Sequence, residues 1–91
     1  MLKVRITSTS GDVIAEGACS DSGYFPPALS GIYNAGLNPK PARSLQSYGP
    51  TSDPAEYPVG TGRARFGYTR SRQDGGDYVL DDEVIVHVER A

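Results

Sequence analysis

The sequence predicts a small α+β domain, mainly β: an antiparallel four-stranded sheet built from two hairpins, with short helices in a central insertion. Three observations predict it. All seven prolines lie between Pro26 and Pro58, and proline cannot donate to a strand ladder, so that window is excluded from the middle of a sheet. Both flanking segments alternate apolar and polar residues with the period of two that a half-buried strand requires. Each flank also carries a glycine turn signal, Ser10-Gly11 in the first and Asp74-Gly75-Gly76-Asp77 in the second, which reads as a hairpin. A small, partly open β-barrel is the alternative arrangement of the same strands. The expected organisation of residues 1–91 is one domain, with hairpins at 2–19 and 62–90 and a Pro/Gly/Tyr-rich insertion at 20–61.

In the first hairpin, a two-residue turn at Ser10-Gly11 sets Ile6 opposite Ala15, Val4 opposite Gly17 and Leu2 opposite Cys19 on one buried face. The same register sets Arg5 opposite Glu16 on the other face, a cross-strand charge pair. In the second hairpin, a three-residue loop aligns Phe66 with Val86, Tyr68 with Val84 and Ala64 with Val88. It leaves Arg63 facing Glu89 and Arg65 facing His87 on the polar side. Within the insertion, Pro26 to Gly36 reads as a helix that proline opens and glycine closes, with Leu29, Ile32 and Tyr33 at i, i+3 and i+4. Pro41 to Gly49 reads as a second, with Leu45 and Tyr48 three apart and Pro50 ending it. Residues 50–61 read as exposed loop.

Composition narrows the function classes. The chain has 91 residues, 37% hydrophobic and 22% charged, with a formal net charge of -2 and a sequence pI near 5.2. That balance opposes a generic phosphate-backbone binder, whose affinity comes from counterion release. The single Cys19 can form neither an internal disulfide nor a thiolate zinc cage, which fits a reducing compartment. No stretch approaches the roughly 20 apolar residues of a membrane span, so a cytoplasmic protein without membrane contact is expected. No cofactor or metal is expected either: the run Asp77 to Glu83 lacks the alternating ligand spacing and central glycine of an EF-hand loop.

Two motifs invite chemistry. Gly62-Arg-Ala-Arg-Phe-Gly67-Tyr68-Thr69 has the spacing of a phosphate-binding loop but puts tyrosine where the phosphate-binding lysine belongs, and it reads as strand, not as a loop opening a helix. Arg65-Phe66-Gly67-Tyr68 together with Val84-Ile85-Val86-His87-Val88 resembles the paired aromatic strand motifs of cold-shock domains. In that family a Gly-Phe-Gly-Phe strand and a Val-Phe-Val-His-Phe strand lie side by side. The resemblance implies base stacking by Phe66, Tyr68 and His87. It covers under a third of the chain, and the second strand is aliphatic where the family has rings.

The functional expectation is non-catalytic binding through protein–protein contacts, in an inhibitor or adaptor of a larger assembly, with a phage-type accessory protein as one instance. Tyr24, Arg43 and Tyr57 are its expected partner anchors, because tyrosine and arginine in Gly/Pro-rich loops bury area at low entropic cost. The alternative is a nucleotide- or nucleic-acid-binding module using Arg63, Arg65, Tyr68 and His87. An enzyme is not expected: His87, the only imidazole, is placed on the polar face of one hairpin and Cys19 on the buried face of the other. A homo-oligomer is expected, since hairpin edges expose unpaired backbone groups.

Overall fold

The structure, a computed structural model, describes residues 1–20, 27–37, 42–48, 59–69 and 77–91. These residues form five strands and one helix: β1 (Leu2–Ser8), β2 (Val13–Cys19), α1 (Pro27–Leu37), β3 (Ser44–Tyr48), β4 (Gly60–Thr69) and β5 (Tyr78–Arg90). They form one open antiparallel sheet in the order β2-β1-β5-β4-β3. The strands nearest the two ends of the chain, β1 and β5, are adjacent and pair from Leu2↔Arg90 to Ser8↔Val84.

The alternation in β1 buries Leu2, Val4 and Ile6 completely and leaves Lys3 and Arg5 exposed. Their partners across the first hairpin are those the sequence predicts, Leu2↔Cys19, Val4↔Gly17, Arg5↔Glu16 and Ile6↔Ala15. The turn is one residue longer than predicted. Ser8 N–H donates to the Asp12 carbonyl at 2.8 Å, Gly11 N–H donates to the Ser8 carbonyl at 3.0 Å, and Gly11 adopts a φ of 100°, which favours glycine because it has no Cβ. A bulge absorbs the extra residue where the pairing shifts between Ile6 and Thr7. Ile14 is thereby turned to the core side while Val13 stays 56% exposed.

In the second hairpin the faces are as predicted and the register is not. Ala64 pairs with Val84, Gly62 with Val86 and Gly60 with Val88, while Arg63 pairs with Ile85 and Arg65 with Glu83. The strands have slid by four residues from the three-residue-loop alignment. A shift of four leaves every side chain on its own face, so the burial pattern that fixes the faces is blind to it. The strands part at the Thr69↔Tyr78 pair, and a bulge on β5 lies between the Arg65 and Gly67 pairings.

The predicted first helix is α1. The second is not a helix: Ser44–Tyr48 is strand β3, paired to β4 through Leu45↔Phe66 and Tyr48↔Ala64. An isolated two-turn helix is marginal, whereas the open side of β4 offers ladder hydrogen bonds and still lets Leu45 pack against the core. Among the described residues the sheet therefore has five strands where four are predicted, and one helix packs on it where two are predicted. It also stays open at β2 and β3, unlike the barrel alternative.

Helix α1 covers one face. Leu29 and Tyr33 are buried among Leu2, Val4, Ile6, Ala64, Phe66, Val84, Val86 and Val88, and the Tyr33 and Phe66 rings stack at 4.0 Å with 5° between their planes. The six largest fully buried side chains, Phe66, Leu2, Ile6, Leu29, Val4 and Val86, each contribute about 1.5–3 kcal/mol by leaving water. One flank of α1 lies close to β2 at Gly17 and Gly36, where a Cβ would strike Ile32 or the Ile14 carbonyl. Its other flank holds the chain at Arg43–Leu45 through polar side chains. Among the described residues no helix is long and apolar enough to cross a membrane.

Candidate functional site

The face of the sheet opposite α1 has no layer over it among the described residues, and it is where alternation delivers the charged side chains. Residues 3, 5 and 7 of β1, 16 and 18 of β2, 61, 63 and 65 of β4, and 83, 85, 87 and 89 of β5 share this face, since their even- or odd-numbered neighbours form the core. Four cations, Lys3, Arg5, Arg63 and Arg65, alternate there with the carboxylates of Glu16, Glu83 and Glu89. Lys3 faces Glu89, Arg5 faces Glu16 and Arg65 faces Glu83. The ion pair at ladder distance is the diagonal one, Arg63 Nη1 to Glu83 Oε1 at 3.7 Å. Both partners are solvated and contribute little to stability.

At one end of this face a depression of about 300 Å³ is lined by Lys3, Arg5, Glu16, Thr61, His87 and Glu89, with Gly60 at its rim. His87 lines it and is held from both sides. The Nε2 atom lies 3.3 Å from the Thr7 hydroxyl on β1 and Nδ1 lies 3.3 Å from the Thr61 hydroxyl on β4, so the imidazole bridges both neighbouring strands. Thr7 is 5% exposed, the one buried polar residue among the described residues. A neutral imidazole has one N–H and one lone pair, and hydroxyls both donate and accept, so this arrangement occupies both ring nitrogens. Cys19 pairs with Leu2 on the α1 side of the sheet, away from His87, as the sequence predicts.

On the α1 side, Arg43 forms an ion pair with Asp81, their side chains 20% and 19% exposed. The guanidinium stands 4.9 Å over the Tyr68 ring, and the Tyr33 hydroxyl donates to the same Asp81 at 3.0 Å. Burial, with the Asp81 hydrogen bond and charge beside it, pushes the Tyr33 hydroxyl up to about 12. The cluster ties α1, the chain entering β3, β4 and β5 to one carboxylate.

The residues singled out from sequence therefore separate. Arg63, Arg65 and His87 share the open face, although His87 faces Thr61 and not Arg65. Tyr68 lies on the opposite face under Arg43. Phe66 is fully buried, which leaves the motif pair resembling cold-shock strands with no exposed stacking platform. Gly62–Thr69 lies wholly within β4, a strand and not a phosphate loop. Arg43 is engaged inside the chain, and Tyr24 and Tyr57 lie outside the described residues. The open face also holds Lys3, Arg5, Thr7 and Thr61, which no sequence motif marks as site residues. The signal for Lys3 and Arg5 was present in the alternation of β1, whereas Thr7 and Thr61 meet His87 only through pairings between distant strands. Comparison with protein families, with curated proteins and with solved structures finds no match to this chain.

Proposed function

We propose that this chain is a non-catalytic binding protein of the cytoplasm that docks a protein partner, as an inhibitor or adaptor of a larger assembly, through the uncovered face of its sheet. One observation carries the reading: cations and carboxylates alternate across that face strand by strand, with Thr7, Thr61 and Ile85 between them. A uniformly anionic ligand gains from a continuous basic field and is repelled by Glu16, Glu83 and Glu89, whereas a polar protein surface of mixed charge can match such a pattern and be selected by it. The separation of His87 from Cys19 on opposite faces of the sheet also favours binding over catalysis. Tyr24 and Tyr57 of the insertion are proposed as additional anchors, and Arg43 supports the fold around Asp81.

The test is affinity capture with the wild type and with the Arg5→Glu/Arg65→Glu variant, with and without nuclease. A protein partner retained after nuclease and lost with the variant is expected. Capture that nuclease abolishes, or that the double charge reversal leaves intact, would overturn the reading. A second reading rests on Lys3, Arg5 and His87 meeting at one depression: a small anion bound there. Its binding would fall steeply with salt and with Arg5→Ala, while Arg65→Ala, on the far side of Arg63, would matter less.

A further inference from the structure

The depression on the open face is built over the junction of β1 and β5. The pairings Lys3↔Glu89 and Arg5↔His87 set four side chains in a square block, with Glu16 of β2 opposite Arg5 and Thr61 of β4 opposite His87 as its flanks. All of these residues line the depression. Two cations and two carboxylates thus meet in one place, and their formal charges cancel. The side chains are exposed and stand apart. Among the described residues Lys3, Arg5, Glu16 and Glu89 close no ion pair on one another, whereas Arg63 and Glu83 on the same face do, at 3.7 Å. His87 is fixed beside them, with Nε2 3.3 Å from the Thr7 hydroxyl and Nδ1 3.3 Å from the Thr61 hydroxyl.

We propose that this depression binds a small zwitterion, of the class of a free α-amino acid, with the ligand's carboxylate on Arg5 and Lys3 and its ammonium on Glu89. The charge pattern selects that class. A plain anion meets Glu16 and Glu89 along with the cations, and a plain cation meets Lys3 and Arg5, so each is partly repelled. A ligand carrying both charges is attracted by both sets. Arg5 offers a planar fork of donors that matches a carboxylate in bidentate fashion. Lys3, two residues along the same face of β1, adds a second positive charge. Glu89 is the diagonal neighbour of Arg5 on the adjacent strand, and such neighbours lie about 7–8 Å apart, within reach of long side chains. Side chains converging from that spacing suit a ligand whose opposite charges sit on adjacent groups, and not one that separates them by a long chain. A volume of about 300 Å³ is at the lower end for small-molecule sites and holds one amino acid. The inference refines the reading of the depression as a small-anion site and does not depend on a docked protein partner.

His87 is the chain's only histidine, so its ring resonances report on the depression directly. The test titrates the protein with glycine, acetate and methylammonium at constant pH and ionic strength and follows that ring by NMR. Glycine is expected to shift the resonances saturably, and acetate and methylammonium to bind about tenfold more weakly or worse. Because the charged positions are exposed, each can be neutralised without disturbing the core. Arg5→Gln is expected to weaken glycine binding about tenfold. Glu89→Gln is expected to weaken glycine and strengthen acetate, since it removes the partner of the ammonium and the repulsion of the anion together. A structural role for Glu89 alone would not invert that preference. Acetate binding as tightly as glycine would overturn the proposal and return the depression to a plain anion site. Ring resonances that none of the probes moves would overturn both readings. A Glu89→Gln protein that keeps the wild-type affinity for glycine would overturn the zwitterion assignment as well.

Discussion

Replacing Tyr33 with phenylalanine keeps the ring stacked on Phe66 and removes only the hydroxyl that donates to Asp81 at 3.0 Å. A hydrogen bond to a charged acceptor is worth about 1.5–3 kcal/mol, so near neutral pH the variant should be less stable by about 2 kcal/mol. The deficit should shrink as the solution becomes alkaline. The hydroxyl titrates near 10 in the unfolded chain and near 12 in the fold. Below pH 10 both states are neutral and the stabilisation is complete; between 10 and 12 the unfolded chain ionises first, so stability falls as pH rises; above 12 the contribution is lost. At pH 11 the loss reaches at most about 1.4 kcal/mol, and about 1 kcal/mol once hydration of the Asp81 end of the cluster is allowed for. Urea unfolding of both proteins between pH 8 and 11 measures the difference directly, because every other titrating group is common to the two. A gap between wild type and Tyr33→Phe that is constant across that range would refute the coupling of this hydroxyl to Asp81. So would a variant as stable as the wild type at pH 8.

Two further outcomes check the packing. Asn34→Ala removes both bonds to the Arg43 backbone and should cost about 1–3 kcal/mol, read as a lower melting temperature together with faster amide exchange at Arg43 and Leu45; unchanged exchange there would separate α1 from the support of β3. Gly67→Ala places a Cβ 2.5 Å from both the Tyr78 ring and the Val79 carbonyl and should cost about 1–3 kcal/mol. Adding Tyr78→Ala should not restore the loss, because the backbone carbonyl stays in place, and full recovery would show that the ring alone confines this position.

How far the residues announced the fold depends on what kind of information each element carried. The first hairpin was legible because two independent patterns agree on it: the apolar set Leu2, Val4 and Ile6, and the opposed charges of Arg5 and Glu16. Burial alone guides the second hairpin, and Val84, Val86 and Val88 present the same apolar repeat to Ala64 and Phe66 at any even shift. The choice among these alignments falls to β1, which pairs with the other side of β5, and to the bulge opposite Phe66, neither of which leaves a local trace. Strand β3 carries a helical signal because Leu45 and Tyr48 sit three apart. So few apolar residues cannot distinguish a helical turn from a strand with a register shift. Asp81 sits in the acidic run from Asp77 to Glu83, where a solvated strand end was the natural reading, and only folding brings Arg43 and Tyr33 to it. The alternating charges of the open face follow from strand periodicity, whereas the bridge from Thr7 through His87 to Thr61 joins residues up to 80 positions apart.

The adjacency of β1 and β5 has a kinetic meaning. With Ala91 N–H donating to the Met1 carbonyl at 3.1 Å, the middle of the sheet is assembled from segments separated by nearly the whole sequence. Each outer hairpin can form through contacts local in sequence, but neither can bury its apolar face until that longest loop is closed. Closure entropy rises only slowly with loop length, yet it must be overcome before any central contact repays it. Folding should therefore be limited by the meeting of the two hairpins, with Leu2, Val4, Val86 and Val88 as the first residues to hold it. A permuted chain, joined across residues 91 and 1 and opened between β2 and α1, should reach the same structure markedly faster.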